Sequence, residues 1–553
     1  MHHNKFVLFL SAFLLALFAG FFVYYPLTNT DIWWHLASAR EMLSQKSLFF
    51  ADPFSFTPHE TPWINIHWLF QFLVYGIYSF LGIQGLALFR SMVFAGACVL
   101  LFFAFPQKKN PVLYAFIIAL MFFWMRYLVL VRPILVTLFC MALFIFCLEH
   151  FYALKKYRYL YVLLPVQILW TNCQGLFVLG PIILGAYWVG GTVIPALFLK
   201  NDFAHRKELL KTGLIAAAVT LSTVINPYGL SGMFYPLRLF KRIDPALGKL
   251  YAENVSENTP LSQLFNEGSL YAAFVVAVFL ITLVVLVLNR KKIRIAHLLL
   301  FAAFSYLAYT SKRNILLFAF ITAPVLGYSG GYLLERAGQA IRRFMAAVGL
   351  SLGGVITVAL VFLHALVLRV GPSQQFLSPF RYPDDAVAYL HEYPVTGHIF
   401  NSVRYGGYLL WELYPPKKVF IDGRLIIRTP EFYAEYLAIL DNPDLFARVA
   451  DKFSITHVLV PTAIFDRYMK LFGYLYENGA WRLVFADGSS ALFVKDSYAQ
   501  TPPIDLESRK DIQMIENRIE RKWKNKPYLF KEARGHLVNL IKTIRGGEFS
   551  KSK

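Results

Sequence analysis

The sequence predicts a polytopic α-helical membrane protein of about 11 transmembrane helices, amino terminus inside, with a C-terminal extracytoplasmic α/β domain. Three observations carry this. Of 553 residues, 57% are hydrophobic and only 16% charged, where soluble chains carry about 25% charged residues. Long apolar runs recur at the roughly 20-residue length that spans a bilayer, and mean hydropathy is +0.50. From about Pro383 the pattern changes to short β-rich runs alternating with helical ones.

The first run, Phe6 to Leu27, lacks a small-x-small cleavage site and reads as an uncleaved anchor. Further spans are expected near 87–105, 111–126, 134–152, 158–170, 176–197, 211–225, 269–288, 295–310, 315–333 and 346–369. Alternate loops then carry "MHHNK", "PQKKN", "KKYRY", "KNDFAHRKELLK", "NRKKIR" and "ERAGQAIRR". All fall on one side, which the positive-inside rule makes cytoplasmic. Were 63–81 also a span, every later loop would invert, so it is read as a helix in the outer interface. The outer face then holds a large loop at 28–86, a second near 226–268, and the chain beyond 370.

Within that last part, "HIFN", "KVFID" and "THVLV" read as strands, "DDAVAYLHEY" and "PEFYAEYLAIL" as helices, and 481–496 as a closing hairpin. An α/β layer domain over 376–497 follows, after a membrane domain at 1–370. Residues 498–553 read as a tail of one or two basic amphipathic helices ending in a disordered tip, lying on lipid headgroups or simply solvated.

The net charge of +21 resides mostly in short loops and the tail, with no groove-reading motif, so no nucleic-acid partner is expected. The four cysteines, Cys98, Cys140, Cys147 and Cys173, lie in or beside apolar runs, which argues against a disulfide framework or a cysteine zinc site. No acidic or basic residue falls near the midpoint of a span, and a proton-coupled transporter needs one there. Polar residues gather instead at the outer ends of spans, pointing to chemistry at that boundary.

Candidate residues start at "DIWWH". Asp31 and His35 are four apart and share a helix face. Asp31 reads as a general base or metal ligand with His35 tuning it; the alternative is a plain N-cap beside an interfacial tryptophan belt. Arg40 and Glu41 close the segment. Asp52, Asn65, His67 and Gln71 are candidates to line a pocket with Asp31, whereas His59 and Glu60 read as ordinary loop residues.

Arg126, Arg132, Lys312 and Arg313 are cations at outer loops, against the topological bias. A phosphate or pyrophosphate would favour them; snorkelling to headgroups is the alternative. Asn172, Gln174 and Asn226, in "WTNCQG" and "INPYGL", suit hydroxyl binding or turn formation. Arg404, Asp422 and Arg424, in "NSVRYGGYLLW" and "FIDGR", read as a structural ion-pair cluster before a binding site.

Taken in order, "TDIWWHLASAREML", "DPFSFT", "HWL", "RP", "INPYGL", "KRN" and "YGGYLLW…VFIDGR" resemble the GT-C superfamily of membrane glycosyltransferases, which includes aminoarabinose transferases and protein O-mannosyltransferases. The resemblance is nearest to a group of bacterial GT-C-like proteins and runs to about residue 497. It implies transfer of a sugar from a polyprenyl-phosphate or polyprenyl-pyrophosphate donor to an envelope glycan, lipid or protein, on the outer face of the bacterial cytoplasmic membrane. The superfamily's first-loop acid matches Asp31, as proton acceptor or as ligand of a divalent metal (Mg or Mn). The outer cations would stabilise the departing lipid phosphate. Many relatives carry an acidic pair there; here the second position is Ile32, leaving His35 to share that role. A different class also fits the residues, a non-catalytic scaffold whose outer domain binds an envelope partner. A lipid-linked-sugar flippase fits least, because the spans lack midplane charges.

Overall fold

The computed structural model describes residues 2–57, 61–105, 111–198, 203–240, 250–251, 253–336, 376–545 and five positions between 358 and 365. The chain divides into two compact units. The first comprises 1–25, 66–73 and 77–365; the second comprises 26–65, 74–76 and 366–553.

The first unit is helical. Among the described residues seven helices are long and apolar enough to cross a membrane: Lys5–Val23, Trp68–Phe103, Pro111–Leu128, Ile134–Leu154, Gly175–Leu197, Leu270–Leu288 and Lys312–Leu333. The chain is thus an integral multi-pass membrane protein. Helices Arg158–Cys173, Phe203–Leu221 and Ile295–Thr310, shorter or more polar, fall on three further expected spans. Most of the expected 346–369 span lies outside the described residues. Below, α1 is His2–Val23, α2 Ile32–Gln45, α3 Trp68–Phe103, α4 Pro111–Met125, α5 Ile134–Leu154 and α6 Arg158–Cys173. Expected as two separate helices, 63–81 and 87–105 instead form α3, broken at Gly82, whose φ of 62° is open to glycine and strained for other residues.

Apolar packing holds α1 to α4 and α5 to α6. One buried polar cluster joins α5 to the helix beginning at Ile295. Glu149, 1% exposed, accepts from Tyr187 Oη at 2.7 Å, meets His297 Nε2 at 2.8 Å and pairs with Arg294. It lies at the helix end next to "KKYRY".

The second unit is built on a four-stranded mixed sheet of order β1-β2-β4-β3. Strands β1 (His398–Asn401) and β2 (Ile455–Pro461) are parallel; β4 (Ser490–Lys495) is antiparallel to β2 and to β3 (Trp481–Ala486). Every residue of β2 is buried, as a central strand covered on both faces requires.

Two findings differ from the sequence reading. Residues 26–65 of the first outer loop belong to this unit. The tail forms two amphipathic helices as expected, Arg509–Trp523 and Pro527–Arg545, but their apolar faces are buried in the unit instead of lying on lipid or in solvent. Phe380 meets Trp523 and His536 at 5.5 and 5.0 Å, and Lys522 bridges Asp384 and Asp385 at 2.7 and 3.0 Å. Glycine at 488 permits this contact, since a Cβ there would strike Ala533. Residues 546–553 lie outside the described residues.

Candidate functional site

In the second unit the site starts at the entry to α2. All residues from Ile32 to Ala39 are buried, so within 31–40 only Asp31 and Arg40 reach the surface. The buried stretch includes Trp33 and Trp34, 3% and 7% exposed. They form no interfacial belt. Trp33 packs edge-on against Tyr408 (5.1 Å) and Tyr382 (5.8 Å), and Trp34 lies against His35 and Trp63. A tryptophan pair reads the same in sequence whether its cover is lipid or protein.

Asp31 stands at the N-cap position of α2, but its side chain makes no capping hydrogen bond. Its backbone N–H donates to Asn29 Oδ1 at 3.1 Å, and Tyr382 Oη donates to the Leu27 and Asn29 carbonyls at 3.3 and 3.2 Å. These bonds fix the chain entering the helix. Burial, with the Asp31 charge nearby, pushes the Tyr382 phenol up, so it stays neutral.

The facing wall is "FIDGR". A Cβ at Gly423 would collide with Asp31 Oδ1, so only glycine lets this turn reach the carboxylate. The turn is fixed from behind. Asn401 donates to Ile421 O at 2.6 Å and accepts from Phe420 N at 2.9 Å, and Thr57 Oγ1 donates to Phe420 O. Arg424 pairs with Asp422 at 2.6 Å and with Asp52 at 2.7 Å, all three side chains being at most 2% exposed. Burial pushes Asp52 up, but Arg424 and Arg428 outweigh it and hold the carboxyl below its ordinary range. The "YGGY" pair lies on the opposite side. A Cβ at Gly406 would strike Ile421 O, and one at Gly407 would press on Thr30 O, so helix Val403–Leu413 packs directly on "FIDGR" and on α2.

The other candidates in this unit are placed as follows. His35 is 1% exposed, on the buried face. Arg40 donates to the carbonyls of Leu410, Trp411 and Tyr414 at 3.4, 2.8 and 3.4 Å and lies over the Trp411 ring; it closes the C-terminal end of helix Val403–Leu413. Asn65 contacts Met42 Sδ at 3.8 Å. Arg404 takes no part in the Asp52–Arg424–Asp422 group.

In the first unit, His67 Nε2 lies 3.0 Å from Gln174 Oε1, and Trp68 Nε1 donates to Asn172 Oδ1 at 3.0 Å. Asn172 donates to Ile225 O and Ile168 O, both at 2.8 Å. Asn226 folds its turn through Thr223 O (2.8 Å), Gly229 O (3.0 Å) and Tyr228 N (2.9 Å). Gln71 is fully buried near the start of α3.

The four outer cations fall into two groups. Arg132 pairs with Glu257, and Arg313 lies within electrostatic range of both. Glu257 was not singled out from sequence; an acid in a loop facing unexplained cations was the available signal. Lys312 lies 5.3 Å from the Tyr271 ring, and Arg126 is within range of the same tyrosine.

No group of three or more His, Cys, Asp or Glu placed to hold a metal occurs among the described residues. Among the described residues, Asp31 thus belongs to no such group.

The fold is similar to that of membrane oligosaccharyltransferases of known structure. The Archaeoglobus fulgidus oligosaccharyltransferase in its apo form is 14% identical with a TM-score of 0.56, over 84% of this chain and 71% of that one. The A. fulgidus oligosaccharyltransferase AglB, with an inhibitory peptide and a dolichol-phosphate, is 13% identical at a TM-score of 0.56, over 90% and 75%. A further structure of the A. fulgidus enzyme, complexed with Zn and sulfate, gives 13% and 0.53, over 85% and 70%. No family model and no curated protein sequence matches the chain.

Proposed function

We propose that the chain is a glycosyltransferase working on the extracytoplasmic face of the bacterial cytoplasmic membrane. It moves a sugar from a polyprenyl-phosphate or polyprenyl-pyrophosphate donor to an envelope glycan, lipid or protein. The observation that carries this reading is a fold shared with membrane oligosaccharyltransferases over more than four-fifths of the chain, one of them bound to a dolichol-phosphate. Basic loops on one side of the spans support placing the first loop and the C-terminal unit outside.

Asp31 is the general base. Its carboxylate takes the proton of the acceptor hydroxyl as that oxygen attacks the anomeric carbon. The bond from that carbon to the donor phosphate breaks, and its electron pair leaves with the phosphate. In the first unit, Arg126, Lys312 and Arg313 are the candidates for fixed positive charge at a lipid phosphate, while Arg132 is paired with Glu257. His35, Asp52 and Arg40 position rather than react. His35 lies on the buried face of α2, Asp52 anchors the Gly423 turn and Arg40 ties α2 to helix Val403–Leu413.

The test compares envelope glycans, lipids and glycoproteins by mass spectrometry in cells carrying wild type or Asp31→Asn, at equal membrane insertion. Loss of one glycan with accumulation of its lipid-linked donor supports transfer and identifies the substrates. If deleting the protein changes the profile but Asp31→Asn does not, Asp31 is not the base and the scaffold reading takes precedence.

A further inference from the structure

We propose that the C-terminal helices form a proton-sensitive latch on the second unit, held closed when Asp487 carries a proton and loosened when it ionises. Asp487 opens the turn between β3 and β4, and helices Arg509–Trp523 and Pro527–Arg545 close over that turn. Arg518 Nη1 donates to Ala486 O at 2.8 Å, and His536 Nδ1 lies 2.8 Å from Gly488 O. Ala533 fills the space that a Cβ at Gly488 would need. The tail therefore covers the chain on both sides of Asp487.

Asp487 is 2% exposed. Its Oδ1 accepts from Ser489 N at 2.7 Å, Ser490 N at 2.6 Å and Ser490 Oγ at 3.3 Å. Its Oδ2 is buried and takes no hydrogen bond. The charged and titratable groups around it come from three elements. Helix Asp384–Glu392 brings Asp384 and Asp385, with Tyr389 in range of Arg518; the tail brings Arg518, Lys522 and His536; helix Val403–Leu413 brings Tyr405. Lys522 is already bonded to Asp384 and Asp385, at 2.7 and 3.0 Å. Those two acids reach solvent, whereas Asp487 does not. A bare charge on its unused oxygen is costly there, and a proton removes that charge.

Burial outweighs the attraction of Lys522 and pushes the Asp487 carboxyl up to about 6, with Asp385 and Asp384 adding to the rise. Lifting the tail returns the group to water, where an aspartate titrates near about 4. Closure of the tail thus takes up a proton. It is strongest at low pH and weakens as pH rises through about 6. The same turn supports the candidate site. Tyr405 Oη donates to Ser489 O at 2.6 Å, and Tyr405 belongs to the helix whose Gly407 packs on Thr30 O, next to Asp31. The latch holds that turn from its outer side.

The experiment follows hydrogen exchange of the purified full chain by mass spectrometry at about pH 5 and about pH 7.5, each rate divided by the unstructured-chain rate at that pH. Protection of 509–545 is expected to be about tenfold greater at the lower pH, with protection of β2 unchanged. Asp487→Asn stays neutral and keeps an acceptor for the Oδ1 bonds. It is expected to abolish the difference and keep the tail at the higher protection throughout. His536→Gln is expected to preserve the difference, which separates Asp487 from the imidazole beside the same turn. Equal protection at both pH values, or better protection at the higher one, overturns the proposal. So does a difference that survives Asp487→Asn or disappears in His536→Gln. The wild-type comparison carries the test alone if Asp487→Asn protein does not fold, and no transfer activity is needed for any arm.

Discussion

At Asp31 a helix-start carboxylate makes no cap, stays at the surface of an otherwise buried segment, and faces a glycine whose missing side chain leaves it room. A general base needs such a placement, reachable yet held. Replacing it by Asn is expected to lower transfer by about 10²–10⁴-fold with the thermal midpoint unchanged, measured by transfer assay beside a melting curve. Gly423→Ala tests the same geometry from the other side. The added methyl must displace the carboxylate, and a shift of roughly 1 Å costs on the order of 10²-fold in rate. If Gly423→Ala protein is folded and fully active, the carboxylate does not act from this position. The i, i+4 spacing of Asp31 and His35 was legible from sequence. That one residue would be exposed and the other buried was not, because the spacing fixes a shared helix face and says nothing about what covers it.

Among elements, the turn "FIDGR" depends on a buried ion group contributed by two distant stretches, Asp52 from the first loop and Asp422 with Arg424. Removing one partner leaves a buried charge unmatched, so Asp52→Asn is expected to cost about 3–5 kcal/mol, read by chemical denaturation of the purified protein. The linkage has a definite sign. The folded-state pKa of Asp52 is depressed, so its contribution is present above the ordinary carboxylate pKa of about 4. It is lost as pH falls through the folded value. Asp52→Asn should therefore flatten the acid side of the stability profile, and an unchanged acid limb counts against the assignment. The sequence reading grouped Arg404, Asp422 and Arg424 as a structural cluster, of which Asp422 and Arg424 pair and Arg404 stands outside. It set Asp52 with the substrate candidates because nothing local to "ADPFSFT" shows that its partner lies some 370 residues on.

Across the whole molecule, the apolar runs and loop charges were enough to anticipate a multi-pass membrane protein. The domain division was not. Residues 26–65 and 509–545 both complete the second unit. Deleting 509–553 would remove Trp523, Leu529, Leu537 and Leu540, all at most 5% exposed, and uncover the surface they pack on, including Phe380. The shortened protein is expected to lose the folded second unit, seen as rapid proteolysis of 376–508 while the spans stay protected. Protease added from the outer side of intact spheroplasts should reach the second unit of wild type. Cleavage only after the membrane is opened would invert the proposed topology.

The sequence by itself determined what depends on local composition: which stretches are apolar enough to span, which loops carry the orienting charge, and where strands give way to helices. Bilayer insertion selects on length and hydropathy within one segment at a time, so these properties are written in consecutive residues. Tertiary structure alone decided what each polar or aromatic side chain meets. It buried Trp33 and Trp34 in protein, used Arg40 to close a helix end and bound Asp52 to Arg424. A partner's distance in space, unlike hydropathy, is not a property of any window of the chain.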